Sequence, residues 1–422
     1  MKRLAPLVLA LAVPLASAEP PSLARPGRAA LPGFARYWPS ETCGACHTRT
    51  LEQQRQSHHE RAFLNPAFQA AYFELVLPRA AREPALAGEA RSCTACHAPV
   101  AFANARGPAA RELLSDPTMS GVTCDVCHTI RGIDGAAPLN GNFLSSPSDV
   151  KLGPLRGSDN AHHVYSPLQS RSELCGTCHE ATNRHGLLVK GTYSEWRASP
   201  AAAAGIQCQD CHMTRGGLVR AAAPGAEGVV RYTHRFPGSH SGATADGAVS
   251  LSIEPAPLAG RRLGLRVSVD NTRSGHRYPT GSTDLRVLWL EVIVRGGDRV
   301  VPVPARGDDA SVAGATPEDG RLLGADVTPG SRTYRAVFVD EAGKPTQHFW
   351  DAKRIAFDNR LAAGAVVVER YALDLPRDLE GTVRLEARLR YLPYSSGFAA
   401  LMELPPIPPV DVASAAVEVA AP

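Results

Sequence analysis

The sequence predicts an α+β, multidomain chain: a mostly helical and irregular N-terminal half, then an antiparallel β-sandwich. Two observations predict it. All ten cysteines stand in five C-x-x-C-H motifs confined to 43–212, where Pro and Gly break the chain often. Beyond residue 248 apolar and polar residues alternate with period two.

The first element is a processing signal. Lys2 and Arg3 precede an apolar run from Leu4 to Leu15, too short to span a bilayer, and Ala16-Ser17-Ala18 forms an A-x-A cleavage site. Residues 1–18 therefore read as a signal peptide, and 19–40 as a Pro/Ala/Arg-rich leader. This predicts a periplasmic or extracellular mature protein. No later stretch reaches 18 apolar residues, so no transmembrane segment is expected. Lys+Arg number 45 against 41 Asp+Glu, and a net charge of +4 is too weak to argue for nucleic acid.

The motifs are Cys43-Gly-Ala-Cys46-His47, Cys93-Thr-Ala-Cys96-His97, Cys124-Asp-Val-Cys127-His128, Cys175-Gly-Thr-Cys178-His179 and Cys208-Gln-Asp-Cys211-His212. This is the attachment pattern of c-type haem. The two thiols add to the two vinyl groups on one macrocycle edge, and the next residue's imidazole binds iron from the proximal side. Histidine is 14 of 422 residues. Five chance placements after a C-x-x-C would have odds on the order of one in ten million. Zinc sites use such pairs two per metal and give no reason for a following His. A disulfide framework predicts varied spacings. The reading is five covalently bound haem c groups, with His47, His97, His128, His179 and His212 as proximal iron ligands.

The first cysteines of successive motifs lie 50, 31, 51 and 33 residues apart, which suggests two paired-haem units and a fifth haem. Between motifs, Leu51 to Phe63 and Ala67 to Leu77 read as helical, and Glu173 to Cys178 as a helical turn. Aromatic residues are few, so residues 41–240, the pentahaem domain, should depend on haem for much of their core. In 248–411, Leu263 to Val269 and Val383 to Tyr391 alternate strictly, and Leu285 to Val294 and Ala365 to Leu373 are further strand candidates of the sandwich. Residues 412–422 read as a flexible tail.

The sixth iron positions need ligands. Among histidines outside the motifs, the adjacent pairs His58-His59 and His162-His163 should supply one each, and His185 is the weakest candidate. Met119 and Met213 are the only methionines in the haem region, and Met213 follows a proximal His, so it cannot reach that haem's far face. Axial pairs should be mostly His/His, which favours lower potentials than His/Met.

Several stretches carry a resemblance. Tyr193-Ser-Glu-Trp196-Arg-Ala-Ser199-Pro200, running on to Gly205-Ile-Gln-Cys208-Gln-Asp-Cys211-His212-Met213, resembles the multihaem cytochromes c related to the tetrahaem electron-transfer partner of hydroxylamine oxidoreductase. Gly121-Val-Thr-Cys124-Asp-Val-Cys127-His128 is similar to one of their haem motifs. Ser57-His58-His59-Glu60-Arg61-Ala62 resembles their distal-ligand helix, which implies His59. His234-Arg235-Phe236-Pro237-Gly238 and Gly275-His276-Arg277-Tyr278-Pro279-Thr280-Gly281 resemble further distal-ligand segments, the latter in members with a C-terminal β-domain. The resemblance thus implies distal ligands His59, His162 or His163, His234 and His276, and leaves the fifth unassigned with His240 as the leading spare. Two departures stand out: Gln54 where Trp often precedes the first Ser, and Ala201 where a ligand would follow the second.

The predicted role is electron transfer between redox-partner proteins, a donor and an acceptor. Two alternatives carry a distinct chemistry. One is an oxidoreductase acting on a small nitrogen or sulfur compound at an iron with an open distal side. The other is a self-assembling haem filament in which a spare His reaches the next subunit. Pentahaem nitrite reductases differ at the key point: their active haem carries Lys where all five motifs here end in His.

Overall fold

The computed structural model describes residues 37–104, 109–116, 118–156, 162–213, 232–238, 247–304, 326–328 and 330–421. The signal-peptide expectation for 1–18, nearly all of the leader and His240 lie outside the described residues.

The N-terminal half is built of short helices that end on the haem motifs. Helices Pro84–His97, Cys124–His128, Ser172–His179 and Cys208–His212 each close on a motif histidine, and Ser40–Gly44 carries Cys43. The reason is geometric. Residues i, i+3 and i+4 share one helix face, so a helical turn presents both thiols and the imidazole to one flat group. The expected helix from Leu51 to Phe63 stops earlier, as Thr48–Arg55. There the Ser57 hydroxyl donates to the Gln54 carbonyl (2.6 Å), a local bond that competes with helix continuation. Residues 66–80 are helical, with a π segment at Ala70–Val76. The apolar clusters of this half are small. The main one joins Phe63, Tyr72, Phe73, Val76 and Leu86 to Trp350 from the C-terminal half.

The C-terminal half is antiparallel sheet. Val287–Gly296 pairs with Thr382–Leu392 along its length, with Arg299–Val301 and Arg332–Tyr334 also on Val287–Gly296. A second sheet sets Arg262–Asp270 between Ser250–Pro257 and Val366–Asp374. Inner residues of both sheets share one core: Leu263, Leu265, Val267 and Val269 pack with Leu288, Leu290, Val294, Leu385 and Leu389. A third small sheet centres on Ala336–Val339. The expected flexible tail is instead a strand. Val410–Ala420 pairs with Thr382–Leu392 over nearly its whole length, and Val412, Val417 and Val419 face the core. Alternation there was masked by small alanines, which fill inner and outer positions alike.

Two arms of the β half reach the haem half. The first is residues 271–281. Asn271 Nδ2 donates to the carbonyls of His276, Leu361 and Ala362 (each 3.0 Å), which pins the loop carrying His276. Glu195, on Thr192–Arg197, accepts from Arg360 Nη1 (2.7 Å) and from Thr280 Oγ1 (2.6 Å). The second arm is residues 345–352. Asp351 takes a bidentate pair from Arg79 (2.6 and 3.0 Å) and a bond from Arg184 (2.9 Å), and Asn183 Nδ2 donates to the carbonyls of Phe349 and Ala352 (2.7 Å each).

Candidate haem-ligating site

Three pairs of imidazoles face one another at a recurring distance. Ring centroids are 6.2 Å apart for His128 and His234, 6.2 Å for His212 and His276, and 6.0 Å for His179 and His59. Two metal–nitrogen bonds of about 2 Å end to end, plus the ring radii, put the centroids of two axial imidazoles roughly 6 Å apart. The gap therefore fits one iron between each pair. In each pair one member ends a C-x-x-C-H motif and the other comes from elsewhere in the chain. The ring planes are near parallel in the first two pairs (24° and 12°) and near perpendicular in the third (78°).

The rings are also set to present Nε2. Nδ1 lies against a backbone carbonyl in His97 (Ala62, 2.9 Å), His128 (Leu152, 2.6 Å), His212 (Pro237, 2.8 Å), His234 (Tyr232, 3.1 Å) and His276 (Arg277, 2.8 Å). A proton held on Nδ1 leaves the Nε2 lone pair for a metal. Desolvation by the surrounding protein pushes the pKa of His59 down to about 3, and those of His97 and His276 to about 4. A neutral imidazole is the form that binds metal.

The distal segments are tied in place. His234 N–H donates to Gln53 Oε1 (3.0 Å), and the His59 carbonyl accepts from Val122 N–H (2.9 Å). Gln54, at the departure from the resembled pattern, is buried and bonds Glu60 (2.6 Å) and the Val122 carbonyl (3.0 Å). Phe236 packs edge-on against both His59 and His234. Ala201, the other departure, touches the His276 loop: a Cβ added to Gly275 would lie 3.3 Å from its own.

Of the remaining candidates, His163 lies in the short strand His163–Tyr165 beside Lys151–Gly153, and its ring fills the space a Cβ on Gly153 would need. His162 lends its carbonyl to Lys151 N–H (2.6 Å). The His97 ring stacks on Phe68 (3.9 Å, 12°), and among the described residues no imidazole faces it across a 6 Å gap. His185 lines an open cleft with Arg184, His348 and Lys353, away from the imidazole pairs.

The motifs themselves are interleaved. The Cys43 and Cys124 thiols are within hydrogen-bonding reach of one another, as are those of Cys96 and Cys178, and of Cys175 and Cys208. Side-chain-to-backbone bonds add to this: Cys124 N–H to Ser40 Oγ (3.4 Å), Cys208 N–H to Ser172 Oγ (2.9 Å), and, between the third motif and the segment before the fourth, Gln169 Nε2 to the Cys127 carbonyl (2.7 Å). The first motif thus adjoins the third, the third the fourth, and the fourth both the second and the fifth. Only the fourth and fifth motifs are neighbours both in sequence and in space; the first instead meets the third, and the second meets the fourth.

Sequence reasoning missed the supports. Gln53, Asn271, Glu195 and Arg360 are polar groups with no motif signature. Asp125 had a readable signal, a charge inside a C-x-x-C that must pack against haem.

A thiol pair, a following imidazole and a facing imidazole at iron spacing define a class: the chain is a multihaem c-type cytochrome, with covalently bound haem c. Residues 42–129, which hold the first three motifs, match the family described as cytochrome c554 and c-prime. The fold is similar to that of a penta-heme cytochrome c552 from Thermochromatium tepidum, with a TM-score of 0.67 and 19% identity, over 91% of this chain and 99% of that one. No curated protein matches the sequence.

Proposed function

We propose that the protein is a secreted pentahaem cytochrome that passes electrons between partner proteins through closely packed, mostly bis-histidine haems. The observation that carries this is the set of facing imidazoles, His128/His234, His212/His276 and His179/His59, at 6.2, 6.2 and 6.0 Å. Two axial histidines saturate an iron, and a saturated iron exchanges electrons without binding substrate. Haem supplies the redox chemistry. The chain's own residues hold the two imidazoles, keep their protons on Nδ1 and bring the motifs into contact. Intact mass of the acid-extracted mature protein tests the count: five haem masses are expected, and fewer in a fully matured sample overturn it.

A second reading concerns the haem of the second motif. Among the described residues no imidazole faces His97, which suits an open distal side and an oxidoreductase acting on a small nitrogen or sulfur compound. A high-spin ferric signal accounting for one haem in five, moved by added nitrite or sulfite, would favour it; an entirely low-spin spectrum would exclude it.

A further inference from the structure

The third motif differs from the other four in what lies between its cysteines. Asp125 is 0% exposed and pairs with Lys151, itself only 11% exposed. Its carboxylate also accepts from Trp38 N–H (2.7 Å). The Lys151 ammonium donates to the Ser148 carbonyl (2.6 Å) and sits 4.2 Å from the centroid of the Trp38 ring. Asp210, the only other charged residue inside a motif, instead caps its own helix through Gln207 N–H (2.9 Å). The residue after Lys151 completes the arrangement. The Leu152 carbonyl accepts the Nδ1 proton of His128 (2.6 Å), the motif's own iron ligand candidate. One charge pair therefore bolts the motif helix Cys124–His128 to the strand Lys151–Gly153 that orients the proximal imidazole.

A buried ion pair is costly to desolvate and is a poor device for stability alone. Charges held beside a redox centre in a low-dielectric site are weakly screened and act on its potential. We propose that Asp125 and Lys151 are positioning residues that set the reduction potential of the haem carried by Cys124 and Cys127. This rests on the haem assignment proposed above. The carboxylate favours the ferric state, the ammonium the ferrous state, and their near-balance holds that haem at an intermediate value.

The test is a spectroelectrochemical titration of the whole matured protein and of three variants. Asp125→Asn keeps the size and an acceptor for Trp38 N–H but removes the negative charge, so one component of the five should move to higher potential. Lys151→Gln removes the positive charge, so the same component should move lower. Lys151→Arg preserves the pair and should restore the wild-type value. Shifts of opposite sign in one component, with the others unmoved, bear the proposal out. Shifts of the same sign, shifts spread over all components, or no shift would overturn it, because a merely structural pair would loosen the site the same way whichever partner is lost. Intact mass separates this from the underlying reading: wild-type protein without haem on the Cys124–Cys127 peptide refutes the haem assignment itself.

Discussion

At the scale of single residues, His276 gives the sharpest test of how the haems are ligated. It belongs to a loop of the β half yet faces His212 with near-parallel rings. Replacing it with Ala should convert one low-spin ferric haem to high-spin, read by EPR; an unchanged spectrum would detach the loop from the haem. Gly141 is a second single-residue test. Its φ of +75° suits glycine, its N–H donates to the Thr177 carbonyl (2.6 Å), and an added Cβ would lie 2.5 Å from that of Ala95. It is the spacer between the second and fourth motifs. Gly141→Ala should therefore lower stability by about 1–3 kcal/mol, seen in chemical denaturation. The depressed imidazoles give a pH dependence with a definite sign. Burial lowers the pKa of His59 to about 3 and that of His276 to about 4, and an iron bond would oppose their protonation further. An unfolded histidine titrates near 6.5, so below roughly pH 6.5 the unfolded chain takes up protons the folded chain refuses. Stability is full above that point and falls as pH drops below it, because the folded state keeps these imidazoles neutral. Acid unfolding followed in the Soret band should start below pH 6.5, and His276→Ala should reduce its proton uptake.

At the scale of elements, the two arms decide how firmly the halves hold each other. The Glu195–Arg360 pair is nearly enclosed, with side chains 10% and 7% exposed. Removing one partner of such a pair strands the other charge, and Arg360→Met should cost on the order of 3–5 kcal/mol. Limited proteolysis should then cut first between the halves. It is also at this scale that the sequence was most and least legible. The strand Arg262–Asp270 matches its expected core Leu263 to Val269 closely, because strict alternation of large aliphatics has only one solution. The strand Val410–Ala420 escaped notice because alanine does not mark a face. The helix after the first motif is shorter than its pattern predicts, because a serine hydroxyl ends it locally. The proximal positions follow from the C-x-x-C-H spacing, which is itself the attachment chemistry. The facing positions His59, His234 and His276 come from the resemblance alone. The ion pairs and amides that steady both sets were not legible, because they form only when segments far apart in sequence meet.

At the scale of the whole molecule, the two halves should depend on haem differently. The β half has a continuous apolar core, while the haem half has small clusters separated by the motif faces. Changing the cysteines of two motifs to Ser should leave the N-terminal half protease-sensitive and the sheets resistant; equal resistance would mean side chains alone suffice. The interleaved contacts also imply a branched order: the fourth motif meets the second and the fifth through its thiols, and Gln169, just before it, bonds the third. Electron transfer through saturated haems depends on how the irons are ligated, and the EPR spectrum of the oxidised, fully matured protein tests that most directly. Near-perpendicular imidazole planes give a highly axial low-spin signal and near-parallel planes a rhombic one. The geometry at His59/His179 predicts one of the first kind, and that at His128/His234 and His212/His276 predicts two of the second. A spectrum dominated by high-spin ferric haem would contradict it.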